Sequence, residues 1–322
     1  MKAIVYHTYG SPAVLRLEEV AKPTPKDDEV LVKIHAASVN SWDWDLLRGK
    51  PFLARMDSPF KPKYKILGCD VAGQVEAVGK NVKQFQPGDA VFGDLSGSGW
   101  GGFAEYVCAQ ENALTLKPAA MTFAQAAAIP QAGVLALQGL RDQSQIQPGQ
   151  KVLINGAGGG MGTFAIQMAK FWGAEVTGVD STRKLAVMRT LGADHVIDYT
   201  QADFTQNGQR YDLILDAVAH RSLFDYKRAL SPTGTLIIVG GSMGTIFQTL
   251  LLGTWFSKTG SQKLGLLIHQ PNKDLALLIE LFTAGKVVPV IGRTYPLAET
   301  AAAFYALGAG DAQGKLVITV VS

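Results

Sequence analysis

Up to residue 121 the apolar positions fall in short runs separated by turn residues: KAIVYH, EVLVKIHAASV, CDVAGQVEAVG, DAVFGD and GGFAEYVCA. Each has the length and composition of a strand. In EVLVKI, Val30, Val32 and Ile34 alternate with Leu31, Lys33 and His35, the period of two that gives a strand one better-buried face. Residues 23–29 and 87–89 carry turn chemistry, so 1–121 is expected to form a β-rich barrel domain. From Thr122 the pattern changes to helix and strand in alternation. Thr122 is placed to cap FAQAAAI; strands are expected at 151–154 and 174–179, helices at 162–172 and 183–191. HVIDY, YDLILDAV and GTLIIVGG follow as compact apolar runs of the kind buried in a parallel sheet, which makes 122–286 a doubly wound α/β domain. Beyond it come PVIGRTYPL, a helical LAETAAAFYALGAG and a last strand KLVITVV. A lone helix and strand cannot bury a core, so 287–322 is expected to return to the first domain.

The stretch VLINGAGGGMGTFAIQMAKFWG carries the first chemistry. An apolar strand feeds a glycine-rich turn that opens into an apolar helix, the arrangement that lets backbone N–H groups and a helix N-terminus approach a pyrophosphate. Within AGGGMG, Ala157 takes the first glycine position, Gly159 the second and Gly162 the third, with Gly160 and Met161 between them. Gly159 would admit the pyrophosphate, and Gly162 would let the helix pack on its strand. Asp180 stands where an acidic residue bonds the ribose hydroxyls of NAD, yet Ser181, Arg183 and Lys184 follow at once and suit the 2′-phosphate of NADP. The two signals oppose each other.

Composition narrows the class. The 322 residues are 47% hydrophobic, and 30 basic against 27 acidic residues leave a formal charge of +3 with no basic block, which argues against nucleic acid. The apolar run at 246–256 is short and broken by Gln248, Thr249, Gly253 and Thr254, so no membrane span is expected. MKAIVYHTYG lacks the order of a signal peptide, and two cysteines, Cys69 and Cys108, give no disulfide framework. The expectation is a soluble cytoplasmic protein with reduced thiols. His7, His35, His195, His220 and His269 show no metal-ligand spacing.

VLVKIHAASVNSWDWDLLRG, LGCDVAGQVEAVG, PGDAVFG, GGFAEYV, AAIPQAGVLALQGL, NGAGGGMGTFAIQMAK, LGADHVIDY and GKLVITV, in this order, resemble the zinc-independent branch of the medium-chain dehydrogenase/reductase superfamily, the quinone oxidoreductase (zeta-crystallin-like) group. The resemblance implies a GroES-like catalytic domain completed by the C-terminal tail, a Rossmann domain between its halves, and a cleft where nicotinamide meets substrate. By position, Lys184 corresponds to the lysine that holds the NADP 2′-phosphate and Tyr199 to an aromatic residue beside the adenosine. Asp216 and Val218, with Gly240, Gly241 and Ser242, would lie along the nicotinamide side. NADPH is ranked above NADH. Residues 261–270 lie where relatives pair two Rossmann sheets, which implies a homodimer.

The same resemblance argues against zinc. Where zinc-dependent relatives carry ligands, this chain has Asn40, then Gly68, Cys69 and Asp70, and no thiol at 130–133. Without a Lewis acid, the expected acceptor is one that spreads its own charge, a quinone or other α,β-unsaturated carbonyl compound. VNSWDWDLLRG occupies the active-site position, so Asn40 could donate to the substrate oxygen or position the nicotinamide, and Asp43 could organise the loop or relay a proton. Leu135 stands where relatives commonly have threonine or serine. Two other readings are a nucleotide-binding zeta-crystallin-like protein with little catalysis and an NAD-dependent enzyme like an alcohol dehydrogenase. A methyltransferase, which shares the glycine turn, is disfavoured by the β-rich first domain.

Overall fold

The eleven residues Glu29–Val39 form β3, long enough to take different partners along its two halves. The computed structural model describes residues 1–56, 58–253, 255–256 and 260–320. Thr254 of the broken apolar run 246–256 and Val321 of the expected last strand therefore lie outside the described residues. The chain divides into two units, one comprising Met1–Ala132, Pro271–Thr283 and Pro289–Ser322, the other Gly133–Gln270 and Ala284–Val288.

In the first unit β1 (Lys2–Val5) pairs with β2 (Arg16–Glu19). A second sheet contains β3, β4 (Asp70–Val78), β5 (Ala90–Asp94), β6 (Tyr106–Gln110), β7 (Thr115–Leu116), β14 (Ile291–Pro296) and β15 (Lys315–Thr319). One edge of β3 is shared: residues 29–33 pair with β6 and residues 36–39 with β15, while β4 runs along the other edge. The alternation read at 30–35 holds only from Val32 to His35, because Leu31 is buried with Val30, and Ala36, Ala37, Ser38 and Val39 are all buried. One expectation shifts here. GGFAEYVCA becomes strand only at Tyr106: Gly101 starts it at φ +114°, and residues 103–105 bond to β1 instead, through the Ile4 N–H on Phe103 O and the Glu105 N–H on Lys2 O. β2 and β7 are short strands that the pattern did not reveal.

Directly after β3 the chain turns into α1 (Ser41–Arg48). Asp43 accepts the Asn40 backbone N–H at 2.9 Å, and Gly49 ends the helix at φ +58°. The buried face of α1 is Asp43 and Leu47, four residues apart. Phe304, wholly buried, stacks on Trp44 and meets Phe103 edge-on at 5.8 Å in the core of this unit.

The second unit is a six-stranded parallel sheet of β8 (Lys151–Asn155), β9 (Glu175–Asp180), β10 (His195–Asp198), β11 (Tyr211–Asp216), β12 (Leu230–Ile238) and β13 (Lys263–Leu266). Its order, β10-β9-β8-β11-β12-β13, is the Rossmann order, with the topological switch between β8 and β11. α2 (Phe123–Ala128) and α3 (Pro130–Leu137) precede this sheet in the chain, and α4 (Gly160–Phe171) follows the glycine turn. The expected helix at 183–191 starts as a 3₁₀ turn, Thr182–Lys184, and continues as α5 (Leu185–Thr190). α6 (Leu223–Ala229) and α7 (Met243–Gln248) follow β11 and β12. No helix among the described residues is long and apolar enough to cross a membrane.

Candidate active site

At the switch point of the second unit the glycine turn is held from beneath. The N–H groups of Gly156 and Ala157 donate to Val179 O, and Gly159 N–H to Gly156 O. Gly159 is the N-cap of α4 and brings no side chain to its first turn, so the helix N-terminus is open to an anion. A Cβ on Gly162 would lie 2.2 Å from Gly156 O and 2.5 Å from Ala157 Cα, so only glycine lets α4 seat this close to the turn. Met161 and Ala157 are buried below it, and Gly160 is half-buried at the start of α4.

Asp180 and Lys184, opposed in the sequence, are partners in the structure. Asp180 Oδ2 accepts the Gly158 N–H at 2.9 Å, and Oδ1 accepts the Ser181 N–H at 2.8 Å and lies 3.3 Å from Lys184 Nζ. The Lys184 stem crosses Gly158, where a Cβ would meet Lys184 Cβ at 2.6 Å. The carboxylate thus braces the glycine turn with its charge balanced. Arg183 is exposed on the same turn, Ser181 is half-buried, and the exposed Tyr199 follows β10, its N–H on Asp180 O.

Across the switch point Asp216 is wholly buried. It accepts both contacts from Asn155 Nδ2 at 2.9 and 3.0 Å, the Tyr226 hydroxyl at 2.7 Å and the Val218 N–H at 2.9 Å. Burial raises its carboxyl above the ordinary carboxylate range and, with the Asp216 charge, raises the Tyr226 hydroxyl. Its side chain ties β8, β11 and α6 together, while Val218 beyond it is exposed. Gly241, at φ +148°, comes so close to Ala219 that a Cβ would lie 2.1 Å from Ala219 O. Gly240 accepts the Ala219 N–H, and the Ser242 hydroxyl caps α7.

In the first unit the residues around Asn40 form a buried polar centre. Asn40 Nδ2 donates to Asp70 Oδ2 at 3.0 Å and faces Cys69 Sγ at 3.3 Å, while its Oδ1 accepts the Lys315 ammonium. Asp70 also accepts the Ser38 hydroxyl at 3.0 Å and the Gln131 N–H at 3.0 Å, and its Oδ2 lies 3.3 Å from Lys315 Nζ. Gln131 Nε2 reaches Cys69 Sγ at 3.4 Å. Lys315 and Asp70 are only 2% and 0% exposed, so neither charge has water to rely on. The Asn40 amide, read from the sequence as a donor to substrate, has both ends engaged inside the protein. Asp43 accepts the Gly68 N–H at 2.9 Å on its other oxygen, and burial pushes its carboxyl up to about 8 against the pull of these backbone donors. Burial likewise raises the Cys69 thiol, with the nearby carboxylates adding to it.

Comparison with known proteins places this chain. A family model described as Alcohol dehydrogenase GroES-like domain matches residues 26–119, and one described as Zinc-binding dehydrogenase matches 191–318. The Chloroplast envelope quinone oxidoreductase homolog of Arabidopsis thaliana is 33% identical over 99% of this chain and 98% of its own length. The chain belongs to the medium-chain dehydrogenase/reductase superfamily, in its quinone oxidoreductase group. A second relative in this group, the NADPH-dependent alkenal/one oxidoreductase of the same plant's chloroplast, is 33% identical over 99% of this chain and 79% of its own length. Among solved structures, the Escherichia coli quinone oxidoreductase complexed with NADPH superposes with a TM-score of 0.87 at 25% identity, covering 99% of this chain and 100% of that one. The GroES-like plus Rossmann architecture implied by the sequence is the one observed.

Membership raises the question of zinc. Among the described residues, Cys69, Asp70 and Asp94 bring one ligand atom each within 4.8 Å of one another, all buried. Tetrahedral zinc needs thiolate, imidazole or carboxylate donors at about 2.0–2.3 Å. Here Asp70 Oδ2 already takes the Ser38 hydroxyl, the Asn40 amide and the Lys315 ammonium, and Cys69 Sγ faces the side-chain amides of Asn40 and Gln131. A cation built into the chain stands beside the carboxylate, and the donor set does not fit a zinc ion.

The residues that the sequence reading missed are Ser38, Gln131 and above all Lys315. A signal existed: CDVAG and KLVITV are each apolar strands with one charge, of opposite sign, and two such charges must find each other if both strands are buried.

Removing one partner should be costly. Lys315→Met is expected to lower stability by about 3–5 kcal/mol, and a Lys315→Met/Asp70→Leu double variant to recover more than half of the loss, read by urea unfolding. A double variant as unstable as the single one would rule the pair out as the source. For Asp43 the buried carboxyl at about 8 stands above its unfolded value of 3.8, so the stability it contributes is complete below about pH 4 and lost as pH rises through 8. Unfolding free energies measured from pH 4 to 9 should fall in the wild type and fall less in Asp43→Asn.

Proposed function

We propose that the protein is an NADPH-dependent reductase of quinones and other α,β-unsaturated carbonyl compounds that works without catalytic zinc. The observation that carries this reading is the Lys315 ammonium seated against Asp70 and Asn40, Asp70 being one of the three possible metal donors Cys69, Asp70 and Asp94. With that position filled from within the chain, charge developing on an acceptor oxygen has to be delocalised by the acceptor itself. The named activities of the relatives, quinone and alkenal/one reduction, support the same class.

The bound reduced nicotinamide supplies a hydride. A quinone takes that hydride and one proton to become the hydroquinone, and an enone takes the hydride at its β-carbon and the proton at its α-carbon. For the protein's part, Gly159, Gly160, Met161 and Gly162 at the start of α4 would hold the pyrophosphate. Lys184, Arg183 and Ser181 would hold the 2′-phosphate, and Tyr199 would lie beside the adenosine. Because Asp180 is turned onto Gly158 and balanced by Lys184, its charge opposes a 2′-phosphate less than its position in the sequence suggests. Val218, Gly240, Gly241 and Ser242 bound the nicotinamide end, with Asp216 holding the strand ends beneath. Asn40 and Asp43 fix the N-terminus of α1, against which the acceptor lies.

The first unit serves as the catalytic domain and the second as the nucleotide domain. Free Cys69 and Cys108 support a reducing compartment such as the cytoplasm. β13, at the end of the parallel sheet with the exposed Ile268 beyond it, is the edge we assign to a homodimer.

In steady-state assays NADPH should be oxidised in the presence of a quinone or enone, with NADH slower and with no loss of rate in excess chelator. Turnover of simple alcohols in place of conjugated acceptors, or loss of activity to the chelator, would reject the proposal. Lys184→Ala should raise KM for NADPH roughly 10- to 100-fold, the worth of a charge-assisted contact, and leave KM for NADH within about threefold of the wild type. Equal effects on both cofactors would assign Lys184 to bracing the turn alone.

A further inference from the structure

Three aromatic rings from three separate segments of the first unit converge beside the buried centre. Trp42 lies on α1, two residues after Asn40, and meets Trp100 edge-on with ring centroids 6.1 Å apart. Tyr64 approaches the same Trp100 ring at 5.9 Å. Trp100 is buried and belongs to the core, whereas Trp42 is 45% exposed and lies off the helix face defined by Asp43 and Leu47.

The backbone under Trp100 is strained in a specific way. Trp100 has φ +67° between Gly99 and Gly101, both also at positive φ. A bulky residue in this region is unusual and is held only where its surroundings over-determine it. Here Leu95 O collects the N–H groups of Ser98, Gly99 and Trp100, and Leu95 N–H donates to Cys69 O at 2.8 Å. Gly102 N–H donates to Gly68 O, and the Gly68 N–H in turn donates to Asp43 of α1. Trp42 and Trp100 are therefore both anchored on Gly68–Cys69, at the edge of the Asn40 centre. Glycine would satisfy the turn at position 100 without strain, so the backbone conformation is maintained to place an indole.

We propose that Trp42, Trp100 and Tyr64 form an aromatic wall that selects acceptors carrying a planar conjugated ring over short acyclic enones. Trp100 and Tyr64 set the orientation, and the half-exposed indole of Trp42 is the face that meets the ligand. Electron-rich indole against an electron-poor quinone ring is a favourable stacking pair, and a short acyclic enone offers no such face. The inference rests on the reductase reading for the acceptor's chemistry, but not for the binding itself.

The test compares 1,4-naphthoquinone with but-3-en-2-one. Trp42→Ala should raise KM for naphthoquinone about tenfold while KM for butenone stays within twofold, and Trp42→Phe should restore most of the naphthoquinone affinity. Equal shifts for both acceptors, or none for either, would overturn the wall. Equilibrium dialysis of naphthoquinone reads binding without turnover. Binding by the wild type that is weakened about tenfold in Trp42→Ala, with neither acceptor reduced, would keep the wall and reject the reductase. Equal binding by wild type and Trp42→Ala would reject the wall whatever the rates.

Discussion

Everything in the first unit leans on a charge that has no access to water. Asp70 lies at the start of β4, directly across from Ser38 of β3, and it is neutralised by Lys315 at the start of β15. Moving either charge into a protein interior alone costs several kcal/mol, so the strands that carry them are constrained to arrive together. The Asn40 amide lies between the two, its oxygen toward the ammonium and its nitrogen toward the carboxylate. Because Asn40 also precedes α1, the ion pair fixes where that helix starts, and Asp43 carries the constraint on to Gly68. One pair thus orders three strands, a helix and the loop beneath the aromatic rings.

The nucleotide unit is organised by the same economy of charge in a milder form. Asp180 and Asp216 close the two strands that flank β8, and each is spent on holding backbone: Asp180 on the glycine turn, Asp216 on Val218 and, through Asn155, on β8. What is left facing outward on the turn after β9 is cationic and hydroxylic. On the proposed NADPH reading, a pocket built this way would obtain its selectivity from what the acid has been occupied with rather than from its presence or absence.

This distinction explains what could be read in the sequence and what could not. Local periodicity and turn chemistry identify β3, the glycine turn, α4 and the strand-helix alternation, because a period of two or 3.6 is written in neighbouring residues. Candidate residues were legible by type: Asn40, Asp43, Gly159, Gly162, Asp180 and Lys184 were all visible in place. Their partners were not. Asn40 is bonded to a lysine 275 positions away, a pairing that leaves no local pattern. Asp180 and Lys184 lie four residues apart and looked like rival specificity signals, because whether two nearby charges meet depends on where a strand ends and a 3₁₀ turn begins.

The position of Lys315 in the chain gives the architecture a direction in time. β3 and β4, with Asp70, are made early, and the whole nucleotide unit is made before the strand that supplies the ammonium. During synthesis the parallel sheet has all six of its strands while the barrel still lacks the strand that sits between β14 and β3. Without that strand Asp70 has no Lys315 beside it, so the centre of the first unit needs residues from both sides of the inserted unit. The ion pair therefore joins the segments of chain on either side of the inserted parallel sheet into one unit.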